Sequence, residues 1–116
     1  MPTVRSEVVE ELEEFIQHGR LWSADDLQAI IDRLEGEARD HDDPFSHQLA
    51  RFLTSVLLRL RMSEVPPRLA ADIEGIVYPR LWKVMEAVRD GMPDGELRTR
   101  IEVMKRRLAR LFAEER

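Results

Sequence analysis

The chain has 116 residues, of which 43% are hydrophobic and 35% are charged, and it contains no cysteine. This length predicts one domain spanning residues 1–116, and the composition is typical of a folded, helix-rich protein. Without cysteine the chain has no disulfide, no thiol nucleophile and no thiolate metal ligand. No stretch approaches the roughly 20 apolar residues of a membrane span, and the acidic N-terminus is not typical of a targeting peptide. We therefore expect a cytoplasmic protein without a membrane partner.

The net charge of −5 is divided unevenly along the chain. Residues 1–43 carry thirteen Asp and Glu against four Lys and Arg, whereas residues 44–116 carry ten against fourteen. Opposite charge on the two halves indicates either an external partner or halves that pack together, and within one small domain we favour the second interpretation.

The first two amphipathic segments predict two helices. An apolar stripe over about residues 4–18 predicts helix 1, and Gly19 predicts its end. Five glutamates are expected to cover the rest of its circumference: Glu7, Glu10, Glu11, Glu13 and Glu14. Ser23 is expected to cap helix 2, with Trp22 packing on Leu27. A short polar link over residues 39–43 should follow.

Residues 45–62 carry the strongest apolar pattern, with hydrophobic side chains at three- and four-residue steps. Asp43 is well placed to cap this helix, and Pro44 suits its first position because that N–H lacks a partner. We interpret this third helix as a hub that offers the others a common surface.

Two consecutive prolines, Pro66 and Pro67, predict a break before helix 4, which should run from about residue 68 to residue 90. Its apolar positions stay in phase across Pro79, so we predict one helix with a kink at that proline, and Gly75 should give the kink room. After a turn over residues 90–95, helix 5 should run from Glu96 to the C-terminus.

No segment alternates with period two, so no strand is predicted. The fold class expected is therefore all-α, a single-domain bundle of four to five antiparallel helices with helix 4 kinked at Pro79. No motif is diagnostic of a family.

The sequence supplies few candidates for chemistry. His41, Asp43 and His47 lie close enough in sequence to share a metal, but no second cluster supplies further ligands, and a polar loop with a helix cap explains them. No serine lies in a G-x-S-x-G context, and no glycine loop is typical of phosphate binding. We predict no catalytic residue, no metal, no cofactor and no enzyme activity.

We predict instead a non-enzymatic protein–protein interaction module, an adaptor or regulator that forms a homodimer. Helix 4 presents a second face beyond its apolar stripe, which is either a further part of the core or an exposed binding surface. The candidate partner residues lie on that face and on the back of the third helix: Tyr78, Trp82, Met85, Arg89, Leu58 and Met62.

The alternative function is a small nucleic-acid-associated regulator that uses the basic helix 5. Its candidate contacts are the cations of that helix: Arg98, Arg100, Lys105, Arg106, Arg107 and Arg110. Two features disfavour nucleic acid as a partner. The protein has a net negative charge, and no aromatic residues lie between these cations.

The charged residues beside the apolar seam of helix 5 also predict which helix packs against it. Its apolar seam is flanked by arginines and a lysine, whereas Glu11 and Glu13 flank the apolar stripe of helix 1. We therefore expect helix 5 to pack on helix 1, within the chain or across a dimer.

Overall fold

The computed structural model describes residues 4–19, 23–60, 71 and 73–114, and within them the chain forms five α-helices and no strand. The helices, in chain order, are α1 Val4–Gln17, α2 Ala24–His41, α3 Pro44–Leu60, α4 Tyr78–Arg89 and α5 Asp94–Glu114. The predicted all-α fold class is confirmed. The kink at Pro79 and the antiparallel directions stay predictions, and Pro66, Pro67 and the proposed contact of Trp22 lie outside the described residues.

Two of the predicted helix ends form as expected. Gly19 ends α1 with a φ of 62°, in the left-handed region that favours glycine. Ser23 caps α2, since its hydroxyl accepts a hydrogen bond of 3.0 Å from the Asp26 amide. The link after α2 is shorter than predicted, because α2 continues to His41 and leaves only Asp42 and Asp43 between it and α3.

A π-helical turn, Ile73–Val77, leads directly into α4. Pro79 has no N–H to donate to the carbonyl of Gly75, so the ordinary helical hydrogen bond between these residues is missing. A π-helical turn is one structure that forms where this hydrogen bond is absent. The proposed reason for Gly75 is wrong: a β-carbon at that position would meet nothing within 4 Å. The glycine is not needed to make room.

The five helices pack as a ring. The contacting neighbours are α1 with α2, α2 with α3, α3 with α5, α5 with α4, and α4 with α1, and the α2–α3 contact is the most extensive. The principal neighbours of α3 are α2 and α5, and Arg5 of α1 also lies over its Phe45 ring, so the interpretation of α3 as a hub stays a prediction. Their shared apolar side chains form one core, whose largest fully buried members include Phe45, Phe52, Leu12, Leu27, Leu81 and Met85.

The radius of gyration is 13.7 Å, which is close to the roughly 13 Å expected for a compact domain of this length. No helix among the described residues is long and apolar enough to cross a membrane.

Candidate interaction surfaces

The outward side of α5 is positively charged. Leu97, Ile101, Met104 and Leu108 face the core, so helical geometry turns the opposite side of α5 to solvent. We call that side the basic face and define it by five of its exposed residues, Arg100, Val103, Arg106, Arg107 and Arg110; the exposed Glu96 lies at its N-terminal end. No arginine of the basic face forms an ion pair with any residue that the structure describes.

The remaining two predicted cations of α5 lie beside the basic face. Arg98 is exposed, and its Nε donates a hydrogen bond of 3.3 Å to the side chain of Gln48 on α3. Lys105 is half-buried. Val103, with 51% of its surface exposed, is one of two large hydrophobic side chains left exposed in the described part of the chain, and Leu58 is the other.

The outward side of α1 has the opposite charge. We call it the acidic face and define it as Glu7, Glu10, Glu11 and Glu14, which line an open groove of about 540 Å³. Arg33 of α2 forms ion pairs with Glu7 and Glu11. Glu10 and Glu14 are exposed and have no ion-pair partner within the described ranges. The acidic face therefore has carboxylates available for contact.

Glu13 lies at the edge of the same groove but is buried, with only 6% of its surface exposed. Arg89 of α4 places its Nε 2.9 Å from Glu13 Oε1, but the two are out of line for a hydrogen bond, and this oxygen has no hydrogen-bond partner among the described residues. Burial raises the pKa of Glu13, nearby Arg89 lowers it, and Glu86 and Glu10 raise it further, so the pKa is raised on balance. The apolar pattern of helix 1 predicts Glu13 outside its buried stripe, and that prediction is wrong.

The two charged faces do not meet within the chain. The prediction that helix 5 packs on helix 1 is wrong for the monomer, because α4 lies between them in the ring. The ion pair that the structure describes between α1 and α5 has the reverse polarity, since Arg5 of α1 contacts Asp94 of α5 at 3.1 Å. Glu11 and Glu13 are instead paired with Arg33 and Arg89. Packing of helix 5 from one copy on helix 1 of another copy stays a prediction.

The residues predicted to form a partner surface on helix 4 are separated by the fold. Tyr78 and Met85 are buried in the core, at 3% and 0% exposure, so they do not form a surface row. Trp82 is half-buried and lines an open, mainly apolar groove of about 430 Å³ together with Ile16 and Pro79. Arg89 is paired with Glu13.

On α3, Leu58 is exposed, whereas Met62 lies outside the described residues. A role for Trp82, Arg89 or Leu58 in partner binding stays a prediction.

Asp43 joins the beginnings of two helices, whereas its position in the sequence predicts only a cap on α3. Its side chain accepts a hydrogen bond of 3.1 Å from the amide of Phe45, so the predicted cap of α3 is confirmed, and it accepts another of 2.7 Å from the Ser46 hydroxyl. Arg5 donates to Asp43 at 2.6 Å, contacts Asp94 and lies 4.5 Å from the centre of the Phe45 ring. Burial alone would raise the pKa of Asp43, but the hydrogen bonds from Arg5 and Ser46 outweigh it and lower the pKa.

The histidines next to this cap do not converge with it. His41 and His47 are exposed, and His41 Nε2 lies 3.9 Å from a carboxylate oxygen of Glu37. Within the residues that the structure describes, no group of three or more His, Asp or Glu side chains is placed to hold a metal ion.

Comparisons with known proteins found no match: no family model matches the chain, and neither a curated protein nor a solved structure shows significant similarity to it.

Proposed function

We propose that this protein is a non-enzymatic, cytoplasmic interaction module that works by self-association, as an adaptor or regulator. The observation that supports the proposal is that a basic face and an acidic face both point outward, on helices that the ring keeps apart. Glu10 and Glu14 of the acidic face, and the arginines of the basic face, have no ion-pair partner within the described residues, so their charges remain available to a second molecule. The composition, which contains no cysteine, supports the cytoplasmic assignment.

Charges of this kind select a partner and hold it weakly. An exposed ion pair contributes only about 0.2–1 kcal/mol, and salt screens it over roughly 10 Å at 0.1 M ionic strength. Val103 adds a little apolar contact area at the centre of the basic face. We therefore expect an association that is reversible, concentration-dependent and sensitive to salt.

Light scattering with multi-angle detection, after size exclusion, tests the proposal. We expect the average mass to exceed 13.6 kDa as protein concentration rises at low salt, and to return to the monomer value at high salt. A mass that stays at the monomer value at every concentration and salt would reject self-association.

A second candidate function is nucleic-acid binding, and the exposed, unpaired arginines of the basic face favour it. Each phosphate contact releases counterions, so affinity for a duplex should fall steeply with salt. Fluorescence anisotropy with labelled duplex DNA and single-stranded RNA tests this function. Submicromolar binding by a chain that remains monomeric would support nucleic-acid binding over self-association.

A further inference from the structure

We infer that the acidic face of α1 is the docking site for the basic face of α5 from a second copy of this chain. This inference rests on the proposed self-association and names the two surfaces that carry it. Its occupant is the same polypeptide, because the charges and spacing required are present on the chain itself.

The charged side chains of the two faces have matching spacing. On α1, Glu10 and Glu14 are four residues apart, and on α5 Arg106 and Arg110 are also four residues apart. Both pairs therefore span about 6 Å along their helix axes. All four side chains are exposed and have no ion-pair partner within the described ranges, so two ion pairs form in register when the helices lie side by side.

Glu13 gives the acidic groove an independent reason to accept a cation. Its Oε1 is buried at the edge of the groove and lies 2.9 Å from Arg89 Nε, but it receives no hydrogen bond from the described residues. Buried carboxylate oxygens are normally satisfied, so a second cation docked in the groove is favoured by its attraction to this carboxylate. Arg89 remains 57% exposed in its side chain, so it does not close the groove.

The ring determines the kind of assembly. The two faces belong to helices separated by α4, so α5 of a chain does not cover its own α1. The contact joins unlike surfaces, so a pair of molecules either forms it twice about a two-fold axis or leaves one face of each kind free for further copies.

Charge reversal tests the inference with two variants, Glu10→Arg/Glu14→Arg and Arg106→Glu/Arg110→Glu. The first has two basic faces and the second has two acidic faces, so each should associate with itself more weakly than the wild type at low salt. A mixture should associate, because α5 of the first variant meets α1 of the second and the reversed faces also attract. A chain carrying all four substitutions should regain self-association. We expect each double variant alone to bind itself about tenfold more weakly than the wild type, measured by sedimentation velocity.

Matched control variants change the net charge by the same amount as the reversal variants, but at exposed positions of α2 and α3. Arg39→Glu/Arg51→Glu and Glu35→Arg/Asp40→Arg should keep the wild-type association, and circular dichroism should show that every variant is folded. Loss of association in these controls, or no recovery in the mixture, would overturn the inference. If the wild type self-associates but both reversal variants associate normally, the docking site is wrong while self-association stands. A monomeric wild type would reject both.

Discussion

Asp43 shows how one side chain holds several helix ends together. Its carboxylate caps α3 and also binds Arg5, which in turn reaches Asp94 at the beginning of α5. Three helices therefore meet at one partly buried cluster of opposite charges. Removing the carboxylate takes away a cap and a charge-assisted hydrogen bond together, and each of these interactions contributes about 1 kcal/mol or more.

Asp43→Ala should lower the free energy of unfolding by about 2 kcal/mol. Asp43→Asn should cost about half as much, because asparagine caps as well as aspartate but lacks the charge that binds Arg5. The folded-state pKa of Asp43 is lowered, so its contribution is present above the unfolded value of about 3.9 and is lost as pH falls through the folded value. Urea denaturation between about pH 2 and pH 7 measures both effects. Equal losses for the two variants would contradict this role.

The effect of Glu13 on folding stability changes with pH in the opposite direction to that of Asp43. Because its folded-state pKa is raised, the folded protein holds this proton more tightly than the unfolded chain, and ionisation of Glu13 destabilises the fold as pH rises. Glu13→Gln should therefore raise the free energy of unfolding at pH 7 and remove this loss of stability above about pH 4.5. Arg89→Gln should do the reverse, since it removes the charge that lowers the pKa of Glu13. Urea denaturation at several pH values compares the two, and a lower stability for Glu13→Gln at pH 7 would show that the ion pair outweighs the cost of burial.

At the scale of the helix, two glycines on either side of α4 make a matched pair. Gly75 lies in the π turn without a positive φ and with open space around its α-carbon, whereas Gly91 ends α4 with a φ of 80°. At Gly91 the amide donates to the Val88 carbonyl and the next amide donates to that of Ala87, the pattern of a glycine-terminated helix.

Gly75→Ala should raise the free energy of unfolding by about 0.4–1 kcal/mol, because alanine restricts the unfolded chain and meets no obstacle in the folded one. Gly91→Ala should lower it by about 1 kcal/mol, since a β-carbon is strained at that positive φ. Thermal unfolding followed by circular dichroism compares the two variants. A destabilising Gly75→Ala would mean that the π turn itself requires glycine.

The sequence predicted the helices well and their packing poorly, for a physical reason. Apolar periodicity and caps such as Ser23 and Asp43 act within a few residues, so they can be recognised without the fold. Neighbours in the ring are chosen by the shape and area of apolar faces, and exposed charges contribute too little to decide them. The pairing of helix 5 with helix 1 relied on charge, and the fold places α4 between them. The burial of Glu13 was likewise missed, although its helical position beside Val9 and Ile16 was the available signal.

At the scale of the whole molecule, two separate surfaces compete for the role of interface. One is the pair of charged faces, and the other is the apolar groove that contains Trp82. The fold weakens the second candidate, because Tyr78 and Met85 lie in the core and leave Trp82 as a single half-buried aromatic. Isolated apolar side chains at a surface are common and do not by themselves indicate a binding site.

Trp82→Ala should therefore lower stability without abolishing self-association. A fully buried tryptophan costs about 3–5 kcal/mol when truncated to alanine, and partial exposure of Trp82 should reduce that loss to about 2 kcal/mol. Denaturant unfolding measures the stability, and sedimentation velocity at low salt, under conditions where the variant stays helical, measures the association. Lys83→Ala, which removes a cation beside the same groove, is the control for a change of charge there. If folded Trp82→Ala is monomeric while Arg106→Glu/Arg110→Glu still associates, the interface is the groove on α4, and the charged faces serve another partner.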